Sequence, residues 1–162
     1  MKKLFALLLC ALLLVSLSAC GKPAEEATTQ NEETVKDVSV QAVQDKIKAD
    51  LGIEPKAMTA TALTKRYGLP EGSVAESASF YAPGEVFDEE IFLIKAADAN
   101  AADQIEAKLQ EHLESLRSQA NDYSPETKAI LDKCEVLRRG NYVAMFFSAK
   151  RADMEAIYNS FF

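Results

Sequence analysis

Cys20 is the residue of this 162-residue chain with the most definite chemistry. It closes the segment Leu17-Ser18-Ala19-Cys20-Gly21, behind Lys2, Lys3 and an apolar run from Leu4 to Leu17. The segment resembles a bacterial lipobox, in which the cysteine thiol takes a thioether-linked diacylglyceryl group and the peptide before it is removed. A basic start, an apolar stretch and small residues at the cut are the three parts of a secretory signal. The run of 14 residues is short for a spanning helix, which needs roughly 20. Ordinary cleavage after Ser18 is the competing reading and would leave Cys20 as a free thiol. No Arg-Arg pair precedes the run, which favours general secretion over twin-arginine export.

Other reactive residue types are sparse. Asp88-Glu89-Glu90 is an acidic cluster suited to a cation or a basic partner, although charges beside a strand also blunt sheet edges. The single histidine, His112, stands between Glu111 and Glu114. Adjacent helical residues diverge and no second His exists, so a solvated helix face is expected rather than a metal site. Cys134 ends an apolar helical pattern, where a buried thiol behaves as a small hydrophobe. Arg138-Arg139 beside Gly140-Asn141 can hold an anion with turn amides, but arginines at a hairpin tip are ordinarily solvated. Of five tyrosines, Tyr142 is the one placed with Asp88, Glu89 and Glu90 as a candidate binding residue. There is no Gly-rich phosphate loop, Gly-x-Ser-x-Gly, His-Glu-x-x-His or Cys-x-x-Cys. No catalytic residue, metal site or cofactor is therefore assigned.

Charge narrows the partners. The chain carries 18 Lys plus Arg against 25 Asp plus Glu, a net charge of −7. Loss of Lys2 and Lys3 with a signal would take it to −9. An acidic surface is repelled by phosphate backbones and anionic lipid headgroups, so nucleic acid is not an expected partner.

These residues need elements to position them. Residues 1–19 read as a signal peptide and 20–37 as a lipidated cysteine followed by an acidic tether. The tether holds Glu25, Glu26, Glu32 and Glu33 with only Val35 as a large apolar side chain, too little to offset the entropy of ordering it. A flexible chain of this length reaches roughly 20 Å. Residues 38–162 then make one domain, large enough to fold on its own core.

Val40, Val43, Ile47 and Leu51 mark one helical face, stopped by Gly52 and Pro55. A short helix is expected over 57–67, with Gly68 as its left-handed cap. Strands are expected over 74–81 and 90–96, broken by Pro83-Gly84. A long helix over 99–120 buries Ala102, Ile105, Leu109, Leu113 and Leu116, with Asp98 or Asn100 at its start. Ser124 and Pro125 open another helix.

Gly140-Asn141 signals a two-residue hairpin that sets Arg139 against Tyr142, Leu137 against Ala144 and Val136 against Met145. Both faces of that hairpin are apolar, which places it centrally or under cover on both sides. Met154, Ile157, Tyr158 and Phe161 make the stripe of a last helix. The expected class is α+β: an antiparallel sheet of about four strands in two hairpins, packed on helices in the order α-α-β-β-α-α-β-β-α.

The lipobox, the acidic tether, Asp88 to Lys95, the long helix, Tyr123-Ser124-Pro125-Glu126 and Gly140-Asn141-Tyr142-Val143 together resemble a family of small Gram-positive lipoproteins. These are typical of clostridial relatives and carry a domain of unknown function over roughly Val38 to Phe162. The resemblance implies an exported, tethered protein and brings no activity with it. The expectation from sequence is a lipid-anchored binding or accessory module on the outer face of the cytoplasmic membrane. Its partner would be another envelope protein or a wall component. The alternative is a small envelope hydrolase working through carboxylates.

Overall fold

Two consecutive strands that are apolar on both faces can only be satisfied between two layers, and that is what the chain builds. The computed structural model describes residues 35–84, 87–119 and 124–162. Cys20 and the segments read as signal and early tether lie outside them.

In chain order the elements are α1 (Val40–Leu51), β1 (Lys56–Ala57), a short π-helix (Ala62–Arg66), β2 (Val74–Ser77), β3 (Phe80–Ala82), β4 (Glu89–Ala96), α2 (Ala99–Gln119), α3 (Pro125–Leu131), β5 (Val136–Arg139), β6 (Tyr142–Phe147) and α4 (Arg151–Asn159). The fold is mixed helix and antiparallel sheet, as expected. The sheet has six strands instead of four, in the order β1-β3-β4-β6-β5 with β2 also on β4.

The extra strands have local causes. The expected strand over 74–81 is interrupted at Ala78-Ser79, where a hydroxyl substitutes for backbone. Ser79 Oγ accepts from the Leu93 amide at 3.1 Å and is itself held by Ser77 Oγ at 2.9 Å. Short hydroxyl side chains compete with the ladder in this way. The two halves keep one register, with Ser77 opposite Ile94 and Phe80 opposite Ile91.

The other addition, β1, pairs Lys56 with Tyr81 and Ala57 with Phe80, and so takes the first residue of the expected 57–67 helix. Helical turns start only after Thr59, whose Oγ1 accepts from the Ala62 amide at 3.1 Å. They then widen, so that the Tyr67 amide reaches back five residues to the Ala62 carbonyl at 3.3 Å. Gly68 closes the segment at φ +70°, a left-handed conformation that glycine adopts without a Cβ clash.

The hairpin register is the expected one, Arg139–Tyr142, Leu137–Ala144 and Val136–Met145. β6 pairs on its other side with β4, from Glu90–Phe147 to Lys95–Tyr142. Phe92, Ile94, Val143 and Met145 pack with Ile105, Leu109 and Leu113 of α2 and with Leu131 of α3. The opposite face puts Ile91, Leu93, Ala144 and Phe146 against Val43 and Ile47 of α1 and Met154 and Tyr158 of α4. Each fully buried Leu, Ile or Phe contributes about 1.5–3 kcal/mol.

Caps fall where the sequence places them: Asp98 Oδ1 accepts from Ala101 N at 2.7 Å, and Ser124 Oγ from Thr127 N at 3.2 Å. Val35 packs against the α1/α4 core, and Asp37 bonds Lys95. Residues read as the end of the tether thus touch the domain.

Candidate functional site

Strand pleating separates the acidic cluster. Glu89 and Glu90 are adjacent on β4, so their side chains leave opposite faces of the sheet, and both are buried. Asp88 lies just before the strand and is exposed. Tyr142 is 4 % exposed and elsewhere: its hydroxyl accepts from Val38 N at 2.8 Å and donates to Asp37 Oδ1 at 2.9 Å. The structure does not bring the four sequence candidates together. Instead, each buried glutamate organises surroundings of its own.

Glu90 sits on the α2 side, in the alternation that continues through Phe92 and Ile94. His112 Nε2 meets its Oε2 at 2.6 Å, the Tyr67 hydroxyl donates to its Oε1 at 2.9 Å, and Arg66 lies 3.4 Å from the same oxygen. The Tyr67 and Tyr81 hydroxyls are 3.0 Å apart. A carboxylate only accepts, so Tyr67 spends its single proton on Glu90 and Tyr81 donates to Tyr67. Arg66 lies over both phenol rings, 5.4 and 5.7 Å from their centres.

The widened π-helix is what delivers Arg66 and Tyr67 to this point, and the fourth turn of α2 delivers His112. Burial opposes ionisation of Glu90, but the His112 bond and charge, the Tyr67 bond and Arg66 outweigh it and hold the carboxyl below its ordinary range. Burial and the bonds to Tyr81 and Glu90 push the Tyr67 phenol well above its usual value. The solvated reading of His112 is therefore corrected: its ring turns inward, edge-on to Tyr67 at 4.9 Å, and its side chain is 20 % exposed.

Glu89 faces the α1/α4 side and borders a cavity of about 590 Å³ at the end of the sheet. The walls come from Gly52–Glu54 after α1, from Ala82–Gly84 and Phe87 between β3 and β4, from Ile130 of α3, and from Ala149 and Lys150 before α4. Phe87 is a firm wall, stacked on Phe147 at 4.3 Å. The floor carboxylate accepts from Ser148 Oγ at 2.8 Å and from Ala149 N at 3.0 Å. It thus lies at the start of α4, where the helix dipole favours negative charge.

The remaining candidates are structural. Burial pushes the Cys134 thiol up to about 11, and its Sγ lies 3.5 Å from the Phe146 carbonyl. Arg138 is held by Asp103 and Glu106 at 3.1 and 3.3 Å, and Arg139 by Asn159. Among the described residues no group of three His, Cys, Asp or Glu is arranged to hold a metal ion. No described helix is long and apolar enough to cross a membrane.

A family model described as "Domain of unknown function (DUF4358)" matches residues 47–148. The chain belongs to this family. The DUF4358 match runs from Ile47 in α1 to Ser148 after β6. It therefore takes in the whole Glu90 network and Glu89, but leaves Ala149, Lys150 and α4 beyond its end. No curated protein matches the chain, and no solved structure does.

Proposed function

We propose that this DUF4358 chain is a lipid-anchored binding module on the outer face of the cytoplasmic membrane. Its domain engages an envelope protein or wall component through the cleft at the end of the sheet. The cleft carries the reading. Its volume, about 590 Å³, falls within the roughly 300–1,000 Å³ of ligand sites, and it combines apolar walls with one fixed polar group, as such sites do.

The anchor is supported by Leu17-Ser18-Ala19-Cys20 and the apolar run before it. Two acyl chains at Cys20 would give stable attachment where one gives only reversible binding. A photo-activatable side chain at Lys150, on the cleft rim, tests the binding role in intact cells. A reproducible cross-linked partner is expected. Recovery of abundant neighbours alone, as from the same group placed at Lys133, would count against it. Intact-mass analysis should show a chain that starts at Cys20 and carries diacylglyceryl, and Cys20→Ala should free the protein from the membrane. A mature chain with a free thiol at Cys20 would remove the anchor from the proposal.

The hydrolase alternative draws on one observation. Glu90 orients His112 through Nε2, while Nδ1 makes no hydrogen bond among the described residues and the side chain is 20 % exposed. A carboxylate-held imidazole with a free nitrogen is a general-base arrangement. On that reading His112→Asn should abolish any wall-hydrolysing activity, and an unchanged rate would exclude it.

A further inference from the structure

We infer that the sheet-end cleft takes a primary ammonium or guanidinium group on an aliphatic stem, with Glu89 as its counter-charge. This rests on reading the cleft as the binding site and adds the chemistry of what enters it.

Glu89 is 7 % exposed, yet among the described residues no Lys, Arg or His lies within ion-pair distance of it. Glu90, one residue on, has both His112 and Arg66. A buried carboxylate ordinarily meets a cation, because the loss of hydration is otherwise poorly offset. Ser148 and Ala149 fill two of its roughly four acceptor positions. They fix both oxygens of a residue that lines the cavity. The cation nearest in sequence to these donors, Lys150, is engaged elsewhere: its ammonium bonds the Leu51 carbonyl at 2.9 Å.

The walls define the rest of the ligand. Ile53, Ala82, Phe87 and Ile130 offer apolar surface above the carboxylate, which suits a methylene stem that buries its length and delivers its charged end to the floor. Exposed Glu54 on the rim and the net charge of −7 draw cations toward the opening. A bare divalent ion fits less well. Calcium wants six to eight oxygens, whereas among the described residues Glu89 is the only buried carboxylate on the cavity wall.

Amide NMR shifts of the full chain in detergent micelles test this with three probes: hexylammonium, hexanol, and the capped tripeptide Ala-Lys-Ala. Hexylammonium should shift Gly84, Glu89 and Ala149 saturably, with hexanol at least about tenfold weaker. Glu89→Gln should lose about tenfold for hexylammonium and little for hexanol. A tripeptide that binds more tightly than hexylammonium identifies a peptide side chain as the source. One that fails where hexylammonium binds identifies a free amine. Equal affinity for hexanol and hexylammonium in the unmodified chain would overturn the ammonium assignment while leaving the cleft a binding site. No shift with any probe would overturn both. The wild-type comparison stands even where Glu89→Gln does not fold.

Discussion

Removing His112 should cost the domain about 2–3 kcal/mol, and most of that cost should vanish when Glu90 is already gone. The magnitude follows from the contacts. Glu90 has a side chain 8 % exposed and accepts a 2.6 Å bond from His112 and a 2.9 Å bond from Tyr67. Hydrogen bonds to charged groups contribute about 1.5–3 kcal/mol, and stripping one partner from a buried pair costs about 3–5 kcal/mol. The lower part of the two ranges taken together, about 2–3 kcal/mol, applies, because His112 is 20 % exposed and water can replace it. Arg66, with 63 % of its side chain exposed, adds only about 0–1 kcal/mol after screening.

The assay is a double-mutant cycle of His112→Ala and Glu90→Leu by urea unfolding, with an expected coupling of about 2 kcal/mol. The pH dependence has a fixed sign. Glu90 is held below its ordinary 4.5 in the folded chain. Its contribution is therefore present above pH 4.5 and lost as pH falls through the lower folded value. The His112→Ala penalty should shrink across that acid window. Coupling under about 0.5 kcal/mol, or a penalty unchanged from pH 7 to pH 3, would refute the account of this network.

Cys134, raised to about 11 by burial, should resist alkylation at pH 8 until the chain unfolds. Because its folded value lies above the ordinary thiol value of 9.0, its contribution to stability is full below pH 9 and lost as pH rises through 11. The Tyr158 hydroxyl is buried with no hydrogen-bond partner among the described residues, so Tyr158→Phe should hold or raise the unfolding free energy, by up to about 2 kcal/mol. A loss above about 1 kcal/mol would mean the hydroxyl has a partner. Gly84→Ala would drive a Cβ into the Phe87 carbonyl and to 3.2 Å from Glu89 Cγ. It should cost about 1–3 kcal/mol and weaken hexylammonium binding, and an unperturbed melt would show that the loop yields freely.

Legibility in the sequence followed the range of the interaction. Gly140-Asn141 fixed the β5–β6 register because a two-residue turn leaves no freedom, and the α2 stripe was plain because Ile105, Leu109 and Leu113 repeat within one helix. β1 escaped notice because two residues carry no alternation. The break at Ser79 was hidden because it depends on a hydroxyl meeting Leu93 across the sheet.

The Glu90 network was misread for a related reason. Three consecutive acidic residues look like one charged patch, although a strand must send neighbours to opposite faces. The signal was there in Glu90, Phe92, Ile94 and Ala96, a polar residue in an otherwise apolar alternation. His112 showed a similar one, three residues from Leu109 and four from Leu116 at the margin of the buried stripe. Its pairing with Glu90, 22 residues away, needed the topology. The cleft, assembled from the ends of five separate segments, left no local trace at all.

The bonds of Tyr142 to Val38 and Asp37 also decide how the domain bears load. Tension on the segment before α1 arrives at the first residue of β6, a strand hydrogen-bonded on one side to β4 and on the other to β5. An edge strand gives way one bond at a time, like a zipper. A pull delivered to an interior strand works against two ladders together, so the segment that leads toward Cys20 grips the domain at a strand held from both sides.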